Sequence, residues 1–561
     1  MKITECKTNH YVNPLGYCFE NPVFSWKVTD AEGKKMVSAR ILIAADERME
    51  QRITDTGYQT DISSLAAPVM MKMKPRTRYY WTVCVRTDAD EEAVSDVHWF
   101  ESAKEGENWE GKWIGCLTEG KESPVFYKEI EIAKRVSRAR LYITGLGLYE
   151  AFYNGERIGN EYFTPYSNDY NEWVQYQTYD VTDRIQQSGT LSVMLGPGWY
   201  KGRFGYAGNW EKGYYGDGFK LLSELRIEYE DGSEQIIGTD DSWKVRTSNL
   251  VFSGIYDGEW RDDTRKTGED GSAVCVEAPR GKLTARLSTP VTVKTEFPVE
   301  RLIHTPAGET VLDLGQNITG IFSLRVNEPE GTVIHIQTGE ILQQGNFYRD
   351  NLRSARSEYF YISNGTEQTI TPHFTFYGYR YVKIEKTLCE DPAEAYAVME
   401  GEKKDVIYTP MPDSVKDNFV GLAVYSSLPR TGSLVTGNPL LNRLILNTEW
   451  GQKDNFVDVP TDCPQRDERM GWTGDAQVFS ATACYIRDCY SFYYKYIFDM
   501  ETEQESRGGM VPNVVPAFDV DSTSSVWGDA TTIIPWNMYR FYGDAGILEK
   551  HYRSMKAWVD S

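Results

Sequence analysis

Apolar and polar positions alternate in short runs along roughly the first 430 residues, and thereafter the apolar spacing lengthens to that of helices. Tyr79-Tyr-Trp-Thr-Val-Cys-Val-Arg has the period of two expected of a half-buried strand, and Pro75 marks a boundary just before it. Ala39-Arg-Ile-Leu-Ile-Ala-Ala, Arg138-Ala-Arg-Leu-Tyr-Ile-Thr, Leu191-Ser-Val-Met-Leu and Leu225-Arg-Ile-Glu-Tyr read as further strands. So do Val311-Leu-Asp-Leu, Phe322-Ser-Leu-Arg-Val, Val333-Ile-His-Ile and Arg380-Tyr-Val-Lys-Ile. Asn154-Gly155, between Tyr149-Glu-Ala-Phe-Tyr and Arg157-Ile, predicts a tight hairpin. The Gly-rich stretch Gly196–Gly205 has no helical pattern behind it and is not read as a phosphate loop.

These textures predict a multidomain, mainly β chain. Residues 1–105 suit a fibronectin type III-like β-sandwich, with Ser102–Asn108 as a linker; residues 106–285 and 286–400 suit two more sandwiches, and 401–435 a second linker. About five helices follow in 436–561. Asn438 and Pro439 are placed to cap and start the first, Pro439–Trp450. The others are read at Asp475–Tyr485, Asp488–Glu503, Gly528–Tyr542 and Gly546–Val559.

Composition narrows the function. Of 561 residues, 60 are Lys or Arg and 82 Asp or Glu, a net charge of −22 that disfavours nucleic acid or an anionic membrane as partner. A mean hydropathy of −0.50 and the lack of a long apolar run argue against a membrane span. No apolar segment follows the charged start Met1-Lys-Ile-Thr-Glu-Cys-Lys, so no signal peptide is read. Nine scattered cysteines without a CxxC pair suit free thiols in a reducing, cytoplasmic setting. Six histidines, none at ligand spacing, leave carboxylates as the expected chemistry, with no metal or cofactor assigned. The 37 Tyr, 22 Phe and 15 Trp provide stacking faces with polar edges that suit sugars, although a large β protein also uses aromatics in its strands and core.

Candidate chemistry concentrates between Asp458 and Asp475: five carboxylates, two arginines and Trp472 in 18 residues. Two prolines and two glycines make this a loop between helices. Glu468, between Asp467 and Arg469, sits where like charge and burial would favour a protonated general acid. Asp462 and Asp475 suit sugar hydroxyls, and Trp472 a stacking platform. Structural readings stand beside these: Asp475 as a helix N-cap, Arg466 and Arg469 paired with Asp467 and Glu468, and Trp472 in the core. Asp454, Asp458 and Asp462 fall at spacings of four, but Pro460 prevents one helix from presenting all three to a metal.

The stretch Asp462-Cys-Pro-Gln-Arg-Asp-Glu-Arg-Met-Gly-Trp-Thr-Gly-Asp475 resembles the signature of bacterial α-L-rhamnosidases, glycoside hydrolase family 78. Leu141–Gly159, Asp313-Leu-Gly-Gln-Asn-Ile-Thr-Gly, Asn351-Leu-Arg, Phe374–Val382 and Val526-Trp-Gly-Asp-Ala resemble further blocks of that family, so the resemblance spans nearly the whole chain. It implies β-sandwich domains followed by the first part of an all-α (α/α)6 barrel, and inverting hydrolysis of terminal α-L-rhamnose from rhamnosides. By the same resemblance Glu468 matches the general acid; Asp462, Arg466 and Asp475 match residues that hold rhamnose hydroxyls; Trp472 and Trp527 match aromatic walls of the pocket. The carboxylate that activates water is implied on a later part of the barrel, beyond Ser561. A truncated enzyme is therefore expected, with a non-catalytic rhamnoside-binding protein as the alternative, and an apolar helical face is expected to be exposed and prone to self-association. Some relatives bind rhamnose through calcium with a carboxylate before the hairpin Asn; here Tyr153 precedes Asn154, and no calcium is assigned.

Overall fold

The computed structural model describes all residues except 117–120, 206–212, 266–270, 390, 404, 519 and 521. Its first unit packs a three-stranded sheet, built on Lys2–Thr8 and Val23–Thr29, against a sheet centred on Met36–Ala44 and Arg78–Thr87. The period-two reading of Arg78–Thr87 holds: it sends Tyr79, Trp81, Val83 and Val85 into a core shared with Phe24, Trp26 and Phe100. The presumed linker is anchored, because the Lys104 ammonium is fully buried beside Glu224 of the second unit.

The second unit is a sandwich of two larger sheets. Val136–Leu146 pairs with Lys220–Tyr229 and Trp173–Asp180 in one, while Leu148–Tyr153 pairs with Gly189–Gly196 in the other. Leu141, Ile143, Leu191, Val193, Leu225 and Trp243 fill the space between. The Asn154-Gly155 hairpin forms with both residues at positive φ (52° and 80°).

The third unit joins 11 described strands in one pairing network. Four of its features differ from the sequence reading. Residues 311–314 and 322–326 belong to one long strand, Thr310–Val326; its register breaks between Asp313 and Ile318, where Gly315 takes φ 76°. Phe419–Ser426, inside the stretch read as linker, is a strand paired with both Thr310–Val326 and Val291–Pro298. Leu250–Gly254 and Gly258–Asp262, read with the second sandwich, also join this network, Gly258–Asp262 running parallel to Glu358–Ile362. A helix absent from the sequence reading, Pro392–Glu400, is started by the Asp391 side chain and stopped by Gly401 at φ 75°.

The five expected helices are present at Pro439–Asn455, Thr473–Ile486, Tyr490–Glu505, Ala530–Tyr542 and Gly546–Asp560. The Asn438 carboxamide oxygen accepts from the Leu440 and Leu441 amides, as its sequence position predicts. Tyr493, Tyr496, Met500, Ile534 and Met538 form the core of the helical region. The apolar stripe of Pro439–Asn455 does not face that core: Leu440 and Leu444 are exposed, while Glu449, Gln452 and Asp454 are buried. Val478, Tyr485 and Trp536 are exposed as well.

Candidate active site

The loop between Pro439–Asn455 and Thr473–Ile486 is fixed from both sides. The short hairpin Phe456–Pro460 carries Asp458 at φ 67°, and its buried carboxylate accepts from the Ser167 amide (3.0 Å) and the Lys495 ammonium (2.9 Å). Asp454 instead accepts from the Thr319 amide at 2.8 Å, and burial pushes its carboxyl up to about 8. Asp454, Asp458 and Asp462 therefore face three different partners rather than one metal site.

Arg469 pins the loop to the β units. Its buried guanidinium donates to the carbonyls of Ile255 (2.9 Å), Phe376 (2.7 Å), Gln465 (2.7 Å) and Arg466 (3.0 Å). These carbonyls replace the Asp467 and Glu468 partners read from sequence. Tyr256 adds a second tie, its hydroxyl donating to the Glu468 carbonyl at 2.6 Å.

Within this frame Arg466 bridges two acids. Its Nη2 lies 3.2 Å from Asp462 Oδ2 and its Nε donates to Glu468 Oε2 at 2.9 Å. The other Asp462 oxygen accepts from the Met470 amide at 3.0 Å. Burial raises the Asp462 carboxyl, and the nearby Glu468 charge adds to it. Asp475 is not the N-cap: that position is Trp472, and Asp475 lies in the first turn with its side chain open to solvent. Neighbouring atoms still shield its carboxyl partly from water, and this partial desolvation, with the Glu468 charge, raises it.

A cavity of about 640 Å³ opens beside these acids. Asp462, Asp475, Phe479, Tyr493 and Trp527 contribute to its wall. Gly474 is required next to Trp527, because a Cβ there would lie 2.9 Å from the indole ring. Asp462, Asp475 and Trp527 thus meet at one cavity, with Arg466 and Glu468 bonded to one another beside Asp462. Arg466, Glu468 and Trp472 are not in the cavity lining: the first two reach it only through the Arg466–Asp462 ion pair, and Trp472 packs on the cluster containing Phe204, Met470, Val514 and Phe518.

Asp462, Cys463 and Glu468 present possible metal-ligand atoms within 4.8 Å of one another. The set suits a cation poorly, because burial and the Asp462 charge push the Cys463 thiol up to about 12 and Arg466 already neutralises both acids. A separate, polar cavity of about 930 Å³ lies against the first two units, with Arg140, Tyr153 and Asn154 in its wall. There the Asn154 carboxamide accepts from the Thr190 amide and the Tyr153 hydroxyl donates to the Gln187 carbonyl.

Sequence reasoning passed over the β-unit contributions to the acid loop. Arg353 Nη1 donates to Glu468 Oε2 at 2.9 Å, and Ser354 Oγ donates to Asp467. The block Asn351-Leu-Arg353 stood out by resemblance, but a partner 115 residues away leaves no local signal.

β-sandwich units precede a helical domain, and residues 429–561 of that domain match the bacterial alpha-L-rhamnosidase six-hairpin glycosidase domain. The other units match domains of the same enzymes: residues 3–104 the Rha78A-like N-terminal immunoglobulin domain, 134–295 the alpha-L-rhamnosidase N-terminal domain, and 303–400 the concanavalin-like domain. The chain belongs to the bacterial α-L-rhamnosidase family. An alpha-L-rhamnosidase of Formosa agariphila is 35% identical across 98% of this chain and 60% of its own length. The structure of the Dictyoglumus thermophilum alpha-L-rhamnosidase superposes with a TM-score of 0.88 at 30% identity, over 100% of this chain and 64% of that one. The Aspergillus terreus enzyme gives 0.89 at 29%, over 100% and 65%. The chain spans about three fifths of the length of the first of these relatives.

Proposed function

We propose that this chain carries the acid-bearing, rhamnose-recognising part of an inverting α-L-rhamnosidase. The observation that carries the reading is that Asp462 shares a cavity with Asp475 and Trp527 and is tied through Arg466 to Glu468. Glu468 protonates the glycosidic oxygen as its bond to the anomeric carbon breaks. Asp462, Arg466 and Asp475 hold the sugar hydroxyls, and the Trp527 face receives the apolar side of the ring with its methyl group. Water adds from the opposite face and gives up its proton to a second carboxylate, about 6.5–9.5 Å from the first in enzymes of this mechanism. We place that carboxylate outside Met1–Ser561, in the part of the relatives' length that this chain does not span.

The test compares hydrolysis of p-nitrophenyl α-L-rhamnoside by these 561 residues and by a chain extended to its relatives' length. Turnover in the extended chain alone supports the reading. Turnover in the 561-residue chain would mean that a described carboxylate activates water. Rhamnoside binding with no turnover in either would favour a binding protein. We also assign the protein to a reducing, cytoplasmic compartment, a reading supported by nine free cysteines, six of them buried. No helix among the described residues is long and apolar enough to cross a membrane.

A further inference from the structure

The third unit sends one arginine across to the acid loop. Arg353 follows the short helical turn Asp350–Leu352, and its Nη1 donates to Glu468 Oε2 at 2.9 Å. Its backbone takes φ 58°, a value that a residue other than glycine keeps only where its surroundings impose it. Four ties impose it here. The Asn351 carboxamide donates to Glu340 Oε2 at 3.1 Å, and Leu352 is buried in the core cluster that includes Met470 of the acid loop. Ser354 Oγ donates to Asp467, and the Arg356 amide donates to Asp257 at 3.0 Å. The turn is thus held under strain where it delivers a guanidinium to Glu468.

The two guanidiniums on Glu468 Oε2 differ in what else they hold. Arg466 also pairs with Asp462, a residue of the cavity wall, so its place depends on what Asp462 binds. Among the described residues Arg353 has no ion pair with that wall; its other acidic neighbour is Asp467, 3.9 Å away. A carboxyl group bonded to one donor can still swing about that bond, whereas a second donor from an independent element fixes its plane. A proton on Oε2 would face both cations, so Oε1 is the oxygen that carries it. Folding gains little from the pair, because the Arg353 side chain is 50% exposed although that of Glu468 is only 10% exposed.

We propose that Arg353 is a positioning residue for the general acid: it holds the Glu468 carboxyl group in the plane from which Oε1 delivers its proton to the leaving oxygen. The inference rests on the reading of Glu468 as the acid. It makes the third unit part of the proton-transfer geometry as well as a support for the loop.

The nature of the leaving group separates this role from a structural one. p-Methoxyphenolate leaves an α-L-rhamnoside only with a proton, whereas dinitrophenolate leaves without one. kcat and KM for both rhamnosides are measured in the chain extended to its relatives' length, in its Arg353→Gln and Glu468→Gln variants and in the double variant, each with a thermal melt. Arg353→Gln is expected to lower kcat for the methoxyphenyl substrate about tenfold. Its KM and its rate on the dinitrophenyl substrate are expected to stay within about twofold, and its melting temperature within about 2 °C. Glu468→Gln is expected to show the same selectivity at about 10²–10⁴-fold, and Arg353→Gln to add nothing in that background. Unchanged rates in Arg353→Gln, equal losses on its two substrates, or a loss that persists in the Glu468→Gln background overturn the positioning role and leave Glu468 standing as the acid. Equal losses on both substrates in Glu468→Gln itself remove the acid, and this inference with it.

Discussion

The Tyr256 hydroxyl donates to the backbone carbonyl of Glu468 at 2.6 Å, so the third β unit positions the backbone of the acid loop of the helical domain. Removing that hydroxyl leaves a buried carbonyl without this donor, at a cost of about 1 kcal/mol. Tyr256→Phe is expected to lower kcat in the extended chain severalfold more than it changes KM for an aryl rhamnoside, with the fold intact by circular dichroism. A change confined to KM would mean that the bond does not position the acid.

Gly474 and Trp527 are in such close contact that a methyl group at 474 must displace the indole. Gly474→Ala is expected to weaken L-rhamnose binding about tenfold and to shift the tryptophan emission, without abolishing the fold. Unchanged affinity would remove Trp527 from the sugar wall.

Asp454 gives a pH signature. Its folded pKa, about 8, exceeds the ordinary value of 3.8, so the folded chain binds this proton more tightly than the unfolded chain does. The resulting stability is fully present below about pH 4 and is lost as pH rises towards about 8. Asp454→Asn keeps an oxygen for the Thr319 amide and loses the charge. Its melting temperature is expected to exceed that of the natural chain by about 2–4 °C at pH of about 8, and by less at about 5. A pH-independent difference would contradict the burial argument.

Lys495 ties the helices to the second unit. It lies between Asp458 (2.9 Å) and Asp499 (2.7 Å) and donates to the Ser167 carbonyl at 2.6 Å, with all three charged side chains buried. Lys495→Met leaves two carboxylates without their cation and is expected to cost about 3–5 kcal/mol in urea unfolding. A loss below about 1 kcal/mol would show that the acids take up protons at little cost.

The helical region was legible because its signals are local: Asn438 and Pro439 fix a helix start, and the apolar spacing identifies five helices. The strand Phe419–Ser426 lies in a stretch read as connection, yet its eight-residue, largely apolar run is a local signal that could have found it; its partners are Thr310–Val326 and Val291–Pro298. Pro392–Glu400 did carry a capping Asp and a stopping Gly, a local signal that could have found it. The acid loop was visible as an unusual density of carboxylates. Its pairings were not, because Arg469 is satisfied by carbonyls of residues as distant as Ile255 and Glu468 by Arg353. Sequence spacing says nothing about contacts that only the tertiary fold creates.

The most direct test of the rhamnose site is calorimetric titration of L-rhamnose into the 561-residue chain and into its Asp475→Asn and Trp527→Ala variants, each confirmed folded by its thermal melt. One saturable site in the natural chain, weakened at least about tenfold in each variant, is the predicted result. Absence of binding, or binding that both substitutions leave unchanged, would contradict the placement of the sugar at the cavity beside Glu468.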